Sequence, residues 1–562
     1  MDGPAERQGG QRWRRIGPVV GAALLAFVAG ALLGGTHVPE AERTAEAYAD
    51  AWESGDLGAM YALTDAGSAG RPIQEFAGAY RQAEITATVL SVEFGEPETD
   101  GSVVELPARI ETEAFGTVSA PLRLPVTEVD GEPRVTWAPH LAFPGLRAGE
   151  KLSSETELPA RAALLFRDRS PLVRGGDDAT AVSEVAASIA GSLGPIPADR
   201  AEALRAEGVP ADAQVGISGL ERIFDDQLRG RPGGVLMAGG RRLASQAPRS
   251  ADPVRTTIDA DLQSAAVTAL AGRLGGVLAM HPKTGEILAA AGIPISGLQP
   301  PGSTFKIITL VAGLEAGVTK PSEDYPIETA AVLEGVPLEN ANGESCGGSL
   351  TESFAHSCNS VFAPMGAELG AEKLVEAARR FGFDEPIPIP GAETSTLPDA
   401  AEIGDDLAIG SSAIGQGRVQ ATTLEMTIVA ATIANDGCRP RPTFAFGQRL
   451  GCVRVTSPEI ARKVERMMEA VVDYGTGTAA AIPGKHVSGK TGTAELADTR
   501  VTPGEATPAP APELPETTAW FVAFGPGAKR APEVAVGVLL VQAGAGGAVA
   551  APAARTVLDA AL

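Results

Sequence analysis

An apolar run near the N-terminus constrains what the rest of this chain can be. From Ile16 to Thr36 the sequence reads IGPVVGAALLAFVAGALLGGT and contains no charged residue. About 20 apolar residues in a helix span the hydrocarbon core of a bilayer. Several arginines precede this run, and Glu40 and Glu42 follow it. Because positive charge stays on the cytoplasmic side, the pattern predicts a cytoplasmic tail over residues 1–15, a transmembrane anchor over 16–36, and all later domains outside the cell membrane.

A cleaved signal peptide is the alternative interpretation of the same run. The small residues Ala29, Gly30 and Ala31 are compatible with a cleavage site. However, the apolar stretch is longer than the usual signal core of about 7–15 residues. This length favours a retained, single-pass anchor.

Length and charge limit the classes of function. A chain of 562 residues is too long for one hydrophobic core, so several domains are expected. The formal net charge of −24 argues against a nucleic-acid partner, which requires a basic surface.

The four cysteines are Cys346, Cys358, Cys438 and Cys452. Export places them in an oxidising compartment, where they can form disulfides. Three connectivities are possible, and the sequence does not choose among them; pairing of neighbours is the simplest hypothesis. None of the cysteines has zinc-ligand spacing and the histidines are scattered, so no metal site or cofactor is expected.

The residues after the anchor predict an α/β multidomain chain. Ala41–Leu63 is typical of two short amphipathic helices, and the strand-like runs Thr86–Phe94 and Val118–Val126 follow. Helices followed by a twisted sheet indicate an α+β domain, placed at 38–147. A change to short polar and apolar alternations begins a second domain, placed at 150–250.

The third domain, at 251–562, begins and ends with strands. A predicted hairpin turns at Lys283–Gly285, and two further strands are predicted within Thr517–Gly527 and Glu533–Gly544. A helix over Ala551–Leu562 closes the chain. The pattern predicts one antiparallel sheet completed by both ends of the domain, with helices between them.

The sequence Pro-Pro-Gly-Ser303-Thr-Phe-Lys306 is the first of three short motifs that indicate chemistry. It precedes an apolar helix, so Ser303 and Lys306 should lie on one helical face. A serine hydroxyl needs an adjacent base to act as a nucleophile. A buried lysine has a lowered pKa and can accept that proton.

The second and third motifs supply the remaining groups of a serine acyl-transfer site. Ser357 could relay a proton to the leaving group, and Asn359 could hold a substrate amide. In Lys490-Thr491-Gly492-Thr493, on a predicted edge strand, the lysine supplies positive charge and both threonines can bind a carboxylate. The backbone N–H groups of Thr493 and Ser303 would form an oxyanion hole.

A second Lys-Thr-Gly sequence, at Lys283–Gly285, competes with the third motif. It precedes Ser303 and lies in a predicted hairpin turn, where Gly285 would adopt a positive φ. The turn interpretation is favoured.

The order of these motifs resembles that of penicillin-recognising serine enzymes, and specifically the class B penicillin-binding proteins. Gly415-Gln416-Gly417, Gly475–Ala480 and Ala519–Pro526 extend the resemblance. Leu164–Gly175 and Gly219–Gly233 resemble the pedestal segments of the family, which implies a pedestal or dimerisation domain at 150–250. In the first pedestal segment, Ala163 stands where the family often has glycine.

The N-terminal domain is similar to that of methicillin-resistance-type proteins. Trp137, Pro139, Phe143 and Pro144 carry much of this resemblance. A spacer that holds the catalytic domain away from the membrane is its implied role.

The resemblance implies a five-stranded antiparallel sheet flanked by helices and a peptidoglycan D,D-transpeptidase. Such an enzyme forms a Ser303 acyl-enzyme with the D-Ala–D-Ala end of a stem peptide, cross-links it to a neighbouring strand, and is inhibited covalently by β-lactams. A membrane glycosyltransferase and division or elongation proteins are the implied partners.

Three alternatives stay open at this point. The first is a penicillin-binding scaffold or sensor without essential catalysis, and the others are a serine β-lactamase and a D,D-carboxypeptidase. Glu393 lies where a β-lactamase could carry a deacylating base, but its surroundings, GAETSTLPD, fit a class B loop. The long pedestal also disfavours both hydrolases.

Overall fold

The structure is a computed structural model that describes residues 39–176, 179–495, 517–527 and 531–562. The described residues form two compact units. The first contains residues 39–156, 204–208 and 233–247, and the second contains residues 157–203, 209–232 and 248–562. The predicted pedestal, 150–250, is thus divided between them, and its boundaries stay a prediction.

The helices, in chain order, are α1 Glu40–Glu53, α2 Leu57–Ala62, α3 Ile73–Ala87, α4 Glu184–Ala190, α5 Ala201–Ala206, α6 Gly219–Ile223, α7 Asp225–Leu228, α8 Ala260–Leu270, α9 Lys306–Ala316, α10 Leu350–Ala355, α11 Asn359–Leu369, α12 Ala371–Phe381, α13 Ala400–Ile403, α14 Asp406–Ala413, α15 Thr423–Ala434, α16 Pro458–Asp473 and α17 Gly546–Ala561. Short 3-10 turns cover Pro139–Ala142, Gly302–Phe305, Ala341–Gly343 and Thr478–Ala480.

The strands are β1 Val89–Phe94, β2 Glu98–Asp100, β3 Val103–Thr112, β4 Gly116–Val129, β5 Glu132–Val135, β6 Leu152–Glu157, β7 Leu164–Leu165, β8 Pro171–Arg174, β9 Thr180–Ala181, β10 Leu193–Pro195, β11 Gln214–Gly216, β12 Gly233–Ala238, β13 Arg241–Gln246, β14 Val254–Arg255, β15 Gly275–Met280, β16 Ile287–Gly292, β17 Asp324–Glu328, β18 Ala330–Leu333, β19 Val336–Glu339, β20 Cys346–Ser349, β21 Cys438–Pro440, β22 Cys452–Arg454, β23 Ser488–Glu495, β24 Thr517–Gly525 and β25 Val534–Leu540.

The first unit packs α1–α3 against an antiparallel sheet with the order β1-β3-β4-β5, and β2 extends it beside β3. The two helices predicted within Ala41–Leu63 are present as α1 and α2, and Asp56 caps the second by accepting a hydrogen bond from Ala59 N at 2.8 Å. The predicted strand Thr86–Phe94 begins too early. Helix α3 continues to Ala87, and the left-handed backbone of Thr88 (φ 48°) ends it before β1 starts.

The second unit contains the predicted antiparallel sheet. Within the described residues its strand order is β16-β15-β25-β24-β23, and every neighbouring pair is antiparallel. Strands β15, β24 and β25 are almost entirely buried, because α8 and α17 cover one face and α15 packs on the other. The hairpin prediction at Lys283–Gly285 is confirmed, and β23 lies at the edge of the sheet as predicted.

The short elements before this sheet surround a buried ion cluster. Asp225 is only 1% exposed, and its carboxylate contacts Arg161 at 3.0 Å and Arg200 and Arg229 at 2.7 Å each. Removing one partner from this cluster would leave an uncompensated buried charge. The cluster therefore favours the one packing of α6 and α7 in which all of its charges are paired.

Two disulfides are present, Cys346–Cys358 and Cys438–Cys452, so the neighbour pairing is confirmed. The predicted anchor, 16–36, lies outside the described residues. Among the residues that the structure describes, no helix has the length and hydropathy to cross a membrane.

Candidate active site

Ser303 lies in the 3-10 turn Gly302–Phe305, directly before helix α9. This turn rests on the edge strand: a Cβ atom on Gly302 would lie 2.6 Å from Thr493 O, and one on Gly492 would lie 2.7 Å from Pro301 O. Gly302 also has a φ of 52°. Both glycines are therefore required for the nucleophile turn to approach the backbone of β23 closely.

Lys306, the first residue of α9, is fully buried. Its Nζ donates hydrogen bonds to Asn359 Oδ1 at 2.6 Å and to Ser357 O at 2.7 Å, and it lies 3.4 Å from Ser357 Oγ. Among the described residues, Ser303 Oγ and Lys306 Nζ are not hydrogen-bonded to each other. Catalytic hydrogen bonds are often long in a ligand-free site and shorten when substrate binds.

Ser357 connects α10 to α11 and has a left-handed backbone, with a φ of 61°. This conformation is unfavourable for a residue other than glycine, and such strain is concentrated at functional sites. Its Oγ accepts a hydrogen bond from Lys490 Nζ at 2.7 Å. On its C-terminal side, Asn359 donates through Nδ2 to Glu339 O at 2.7 Å, which turns Oδ1 toward Lys306.

The third motif occupies the edge strand β23. Lys490 is fully buried and donates to Thr491 O at 3.0 Å as well as to Ser357 Oγ. Thr491 Oγ1 lies 2.6 Å from Thr476 Oγ1. Thr493 Oγ1 accepts a hydrogen bond from Gly546 N at 3.2 Å, and Thr493 O accepts one from Gln416 Nε2 at 3.4 Å.

Burial determines the charge of the two lysines. Desolvation, followed by the positive charge of Lys490, holds the pKa of Lys306 well below its usual value. Burial alone lowers the pKa of Lys490 to about 7. Their Nζ atoms lie 5.6 Å and 5.5 Å from the ring centroids of Phe362 and Phe354. A neutral amine next to Ser357 is therefore accessible near neutral pH, as a general base requires.

The structure thus brings together the side chains of Lys306, Ser357, Asn359 and Lys490, and it places the turn that carries Ser303 against Gly492 and Thr493. The rival Lys283 lies in a hairpin turn whose Gly285 has a φ of 76°. Glu393 is exposed, and its backbone N donates to Ile295 O. No cluster of metal-ligating side chains occurs within the ranges the structure describes.

Three contacts of this site were missed at the level of sequence. They involve Thr476, Gln416 and Trp520, whose Nε1 donates to Pro300 O at 2.8 Å and links the nucleophile turn to β24. All three residues lie in segments that the sequence singles out without giving them a role, namely Gly475–Ala480, Gly415–Gly417 and Ala519–Pro526. Only the three-dimensional contacts reveal what they touch.

Family models match three parts of the chain. Residues 275–559 match the penicillin binding protein transpeptidase domain, residues 181–242 the penicillin-binding protein dimerisation domain, and residues 40–150 the NTF2-like N-terminal transpeptidase domain.

Known proteins similar to this chain agree with these matches. The peptidoglycan D,D-transpeptidases PbpA of Mycolicibacterium smegmatis and Mycobacterium tuberculosis are each 35% identical, with coverage of 61% of this chain and 79% of the relative. The ceftriaxone acyl-enzyme complex of penicillin-binding protein A from M. tuberculosis is similar in structure, with a TM-score of 0.55 and 28% identity over 72% of this chain and 98% of that one. With the transpeptidase model spanning half of its length, the chain belongs to the penicillin-binding protein transpeptidase family.

Proposed function

We propose that this protein is a peptidoglycan D,D-transpeptidase that works through a Ser303 acyl-enzyme. One observation carries the proposal: Ser357 Oγ lies between two fully buried lysine amines, 2.7 Å from Lys490 Nζ and 3.4 Å from Lys306 Nζ, next to the turn that bears Ser303. This arrangement provides a base, a proton relay and a nucleophile in one cleft.

In the acylation step, neutral Lys306 takes the proton of Ser303, and Oγ attacks the carbonyl carbon of the penultimate D-alanine. The peptide C–N bond breaks, and the departing amine of the terminal D-alanine receives a proton through Ser357. Backbone N–H groups of Ser303 and Thr493 would stabilise the oxyanion. Thr491 and Thr493 would bind the terminal carboxylate, with the charge of Lys490 beside them.

In the second step, the amine of a neighbouring peptide attacks the ester carbonyl. That amine gives up a proton to the base, and Ser303 regains its hydroxyl hydrogen as the cross-link forms. A β-lactam would acylate Ser303 in the same way by ring opening, and its adduct would block this second attack.

Incubation of the protein with penicillin, followed by mass spectrometry, tests the proposal. We expect a persistent adduct on Ser303, none in Ser303→Ala, and labelling slowed about 10²–10⁴-fold in Lys306→Ala, the usual contribution of a general base. Lys490→Ala, which removes the amine that donates to Ser357 Oγ, should also slow labelling. Lys283→Ala, in the other Lys-Thr-Gly sequence, is its matched control and should label normally. Rapid loss of the adduct with steady release of penicilloic acid would instead identify a β-lactamase.

We further propose a single-pass anchor at 16–36 that keeps the catalytic domain on the outer side of the cell membrane. The uncharged apolar run and the arginines before it support this topology. A membrane glycosyltransferase that supplies glycan strands, together with division or elongation proteins, would be its partners. Residues 38–147 and 150–250 would then act as spacer and pedestal for residues 251–562.

A further inference from the structure

Thr476 is a polar residue of the cleft to which neither motif nor mechanism assigns a role. It is exposed, whereas its partner Thr491 is 5% exposed, and their hydroxyl oxygens are 2.6 Å apart. Thr476 therefore lies at the opening of the cleft, in contact with the residue proposed to bind the substrate carboxylate.

The position of Thr476 is fixed from several sides. Its backbone N donates to Ala355 O at 3.0 Å, at the end of α10. A Cβ on Gly475 would lie 2.3 Å from Ala355 O, and one on Gly547 would lie 2.3 Å from Thr476 O. Because both neighbours are glycines, the segment fits closely between α10 and the start of α17.

The direction of the hydrogen bond between the two threonines depends on what else each hydroxyl contacts. A hydroxyl group has one proton to donate and two lone pairs that accept. The Thr476 hydroxyl can donate to Thr491 Oγ1 at 2.6 Å or to Ala355 O at 3.3 Å. The first contact is much shorter, and either hydroxyl can donate in it. A carboxylate bound beside Thr491 can only accept, so it would take the Thr491 proton and leave Thr476 to donate to Thr491.

We propose that Thr476 is a positioning residue that directs the Thr491 hydroxyl proton to the C-terminal carboxylate of the substrate. When Thr476 donates to one of the two lone pairs of Thr491 Oγ1, Thr491 is free to donate its single proton into the cleft, where a carboxylate can only accept. In a chain of hydroxyl groups that ends on an anion, each hydrogen bond is stronger than it would be alone. This inference rests on the proposed function and identifies a carboxylate as the recognised group.

The experiment compares acylation by penicillin, which carries a free carboxylate, with acylation by its methyl ester. Loss of one hydrogen bond to a charged group predicts about a tenfold slower reaction of Thr476→Val with penicillin. The methyl ester should react with the variant and with the unmodified protein at similar rates. Thr476→Ser restores the hydroxyl and should restore the rate, and Thr478→Val, in the same segment, is the control that should leave both rates unchanged.

Equal slowing of Thr476→Val with both compounds would overturn the inference, because it would indicate a structural defect. An unchanged rate of Thr476→Val with penicillin would also overturn it. A second measurement separates this outcome from a failure of the proposed function. In a Ser303→Ala background, calorimetry compares a peptide ending in D-Ala–D-Ala with its C-terminal amide. Thr476→Val should weaken binding of the carboxylate form alone, whether or not Ser303 is ever acylated.

Discussion

At the scale of single residues, Glu425 shows how burial controls protonation outside the proposed reaction. This carboxyl on α15 is 2% exposed, and its Oε1 has no hydrogen-bond partner within the described residues. Desolvation raises its pKa to about 8, although Arg439 opposes the rise. The folded protein therefore keeps a proton on Glu425 at pH values where the unfolded chain has lost it.

The free energy of unfolding should consequently fall as the pH rises from about 4.5 toward 8, because the folded state then binds more protons than the unfolded state. Glu425→Gln keeps the shape and removes the titration, so the variant should gain stability relative to the unmodified protein across this window. The gain is at most about 5 kcal/mol.

Urea unfolding at several pH values measures this gain in stability. Glu376→Gln, an exposed carboxyl on α12, is the control. The same pH dependence in Glu425→Gln and the unmodified protein would contradict the assignment.

The two buried lysines of the candidate site show what the sequence can predict at this scale. The spacing of residues within the three motifs, and the order of the motifs along the chain, are enough to select Lys306 and Lys490. They also lead to the expectation that a buried lysine base has a lowered pKa. They do not reveal that both amines meet at Ser357 Oγ, since that contact depends on how α9, the α10–α11 connection and β23 pack. The same limit applies to Thr476, which is separated from Thr491 by a 3-10 turn and the start of a strand.

At the scale of elements, the contact between the nucleophile turn and β23 depends on Gly302. Alanine there would have an unfavourable φ of 52°, and its Cβ would lie 2.6 Å from Thr493 O. Gly317, at the other end of α9, has a φ of 72° but open space around its Cβ position. Alanine at either position would suffer backbone strain, but only alanine at position 302 would also make a close steric contact. Comparison of the two variants therefore separates the two effects.

We expect Gly317→Ala to cost about 1 kcal/mol of stability and to leave penicillin acylation unchanged. Gly302→Ala should additionally move the turn away from β23, and acylation should slow about 100-fold, the effect expected when reacting groups are misplaced by about 1 Å. Thermal unfolding and acylation rates measure the two effects. Similar acylation by both variants would mean that the close contact does not matter for catalysis.

The two disulfides offer a second comparison of elements. Each closes a short loop, with sequence separations of 12 and 14, so the chain-entropy model gives both about 3 kcal/mol. Cys358, however, lies between Ser357 and Asn359. Replacing Cys346 and Cys358 by serine should lower both stability and the acylation rate, whereas replacing Cys438 and Cys452 should lower stability alone. Equal acylation by the two double variants would refute a role for the first bridge in the site.

Element types followed well from the sequence where the pattern was long and regular. The amphipathic α1, the edge position of β23 and the last two strands were all predicted. The start of β1 was not, because Thr86 is β-branched and adjacent to an apolar run, yet the packing of Tyr80 and Ala83 in the core extends α3 to Ala87. Tertiary packing overrides local preference at such boundaries.

At the scale of the whole molecule, the proposed anchor makes a prediction about localisation. The complete chain should sediment with membranes and require detergent for release, because transfer of a helix of about 20 apolar residues into the bilayer is strongly favourable. A chain that begins at Pro39 should stay in solution and react with penicillin at the same rate. Release of the complete chain into the medium, with a mature N-terminus after Ala31, would contradict a retained anchor.

The order of strands in the catalytic sheet also has a consequence for how the molecule is made. Strand β25 lies between β15 and β24, so two segments separated by more than 250 residues of sequence must meet before the sheet is continuous. Ribosomes deliver the N-terminal segments first. Until residues 534–540 have been synthesised, β15 pairs only with β16, and β23 and β24 have no continuous path to that hairpin. The five-stranded sheet therefore stays incomplete until late in synthesis, and under the proposed export topology an incompletely folded chain is the form that would enter a narrow channel. If the proposed topology holds, the cleft between the nucleophile turn and β23 would gain its full support only after β25 has emerged, on the outer side of the membrane.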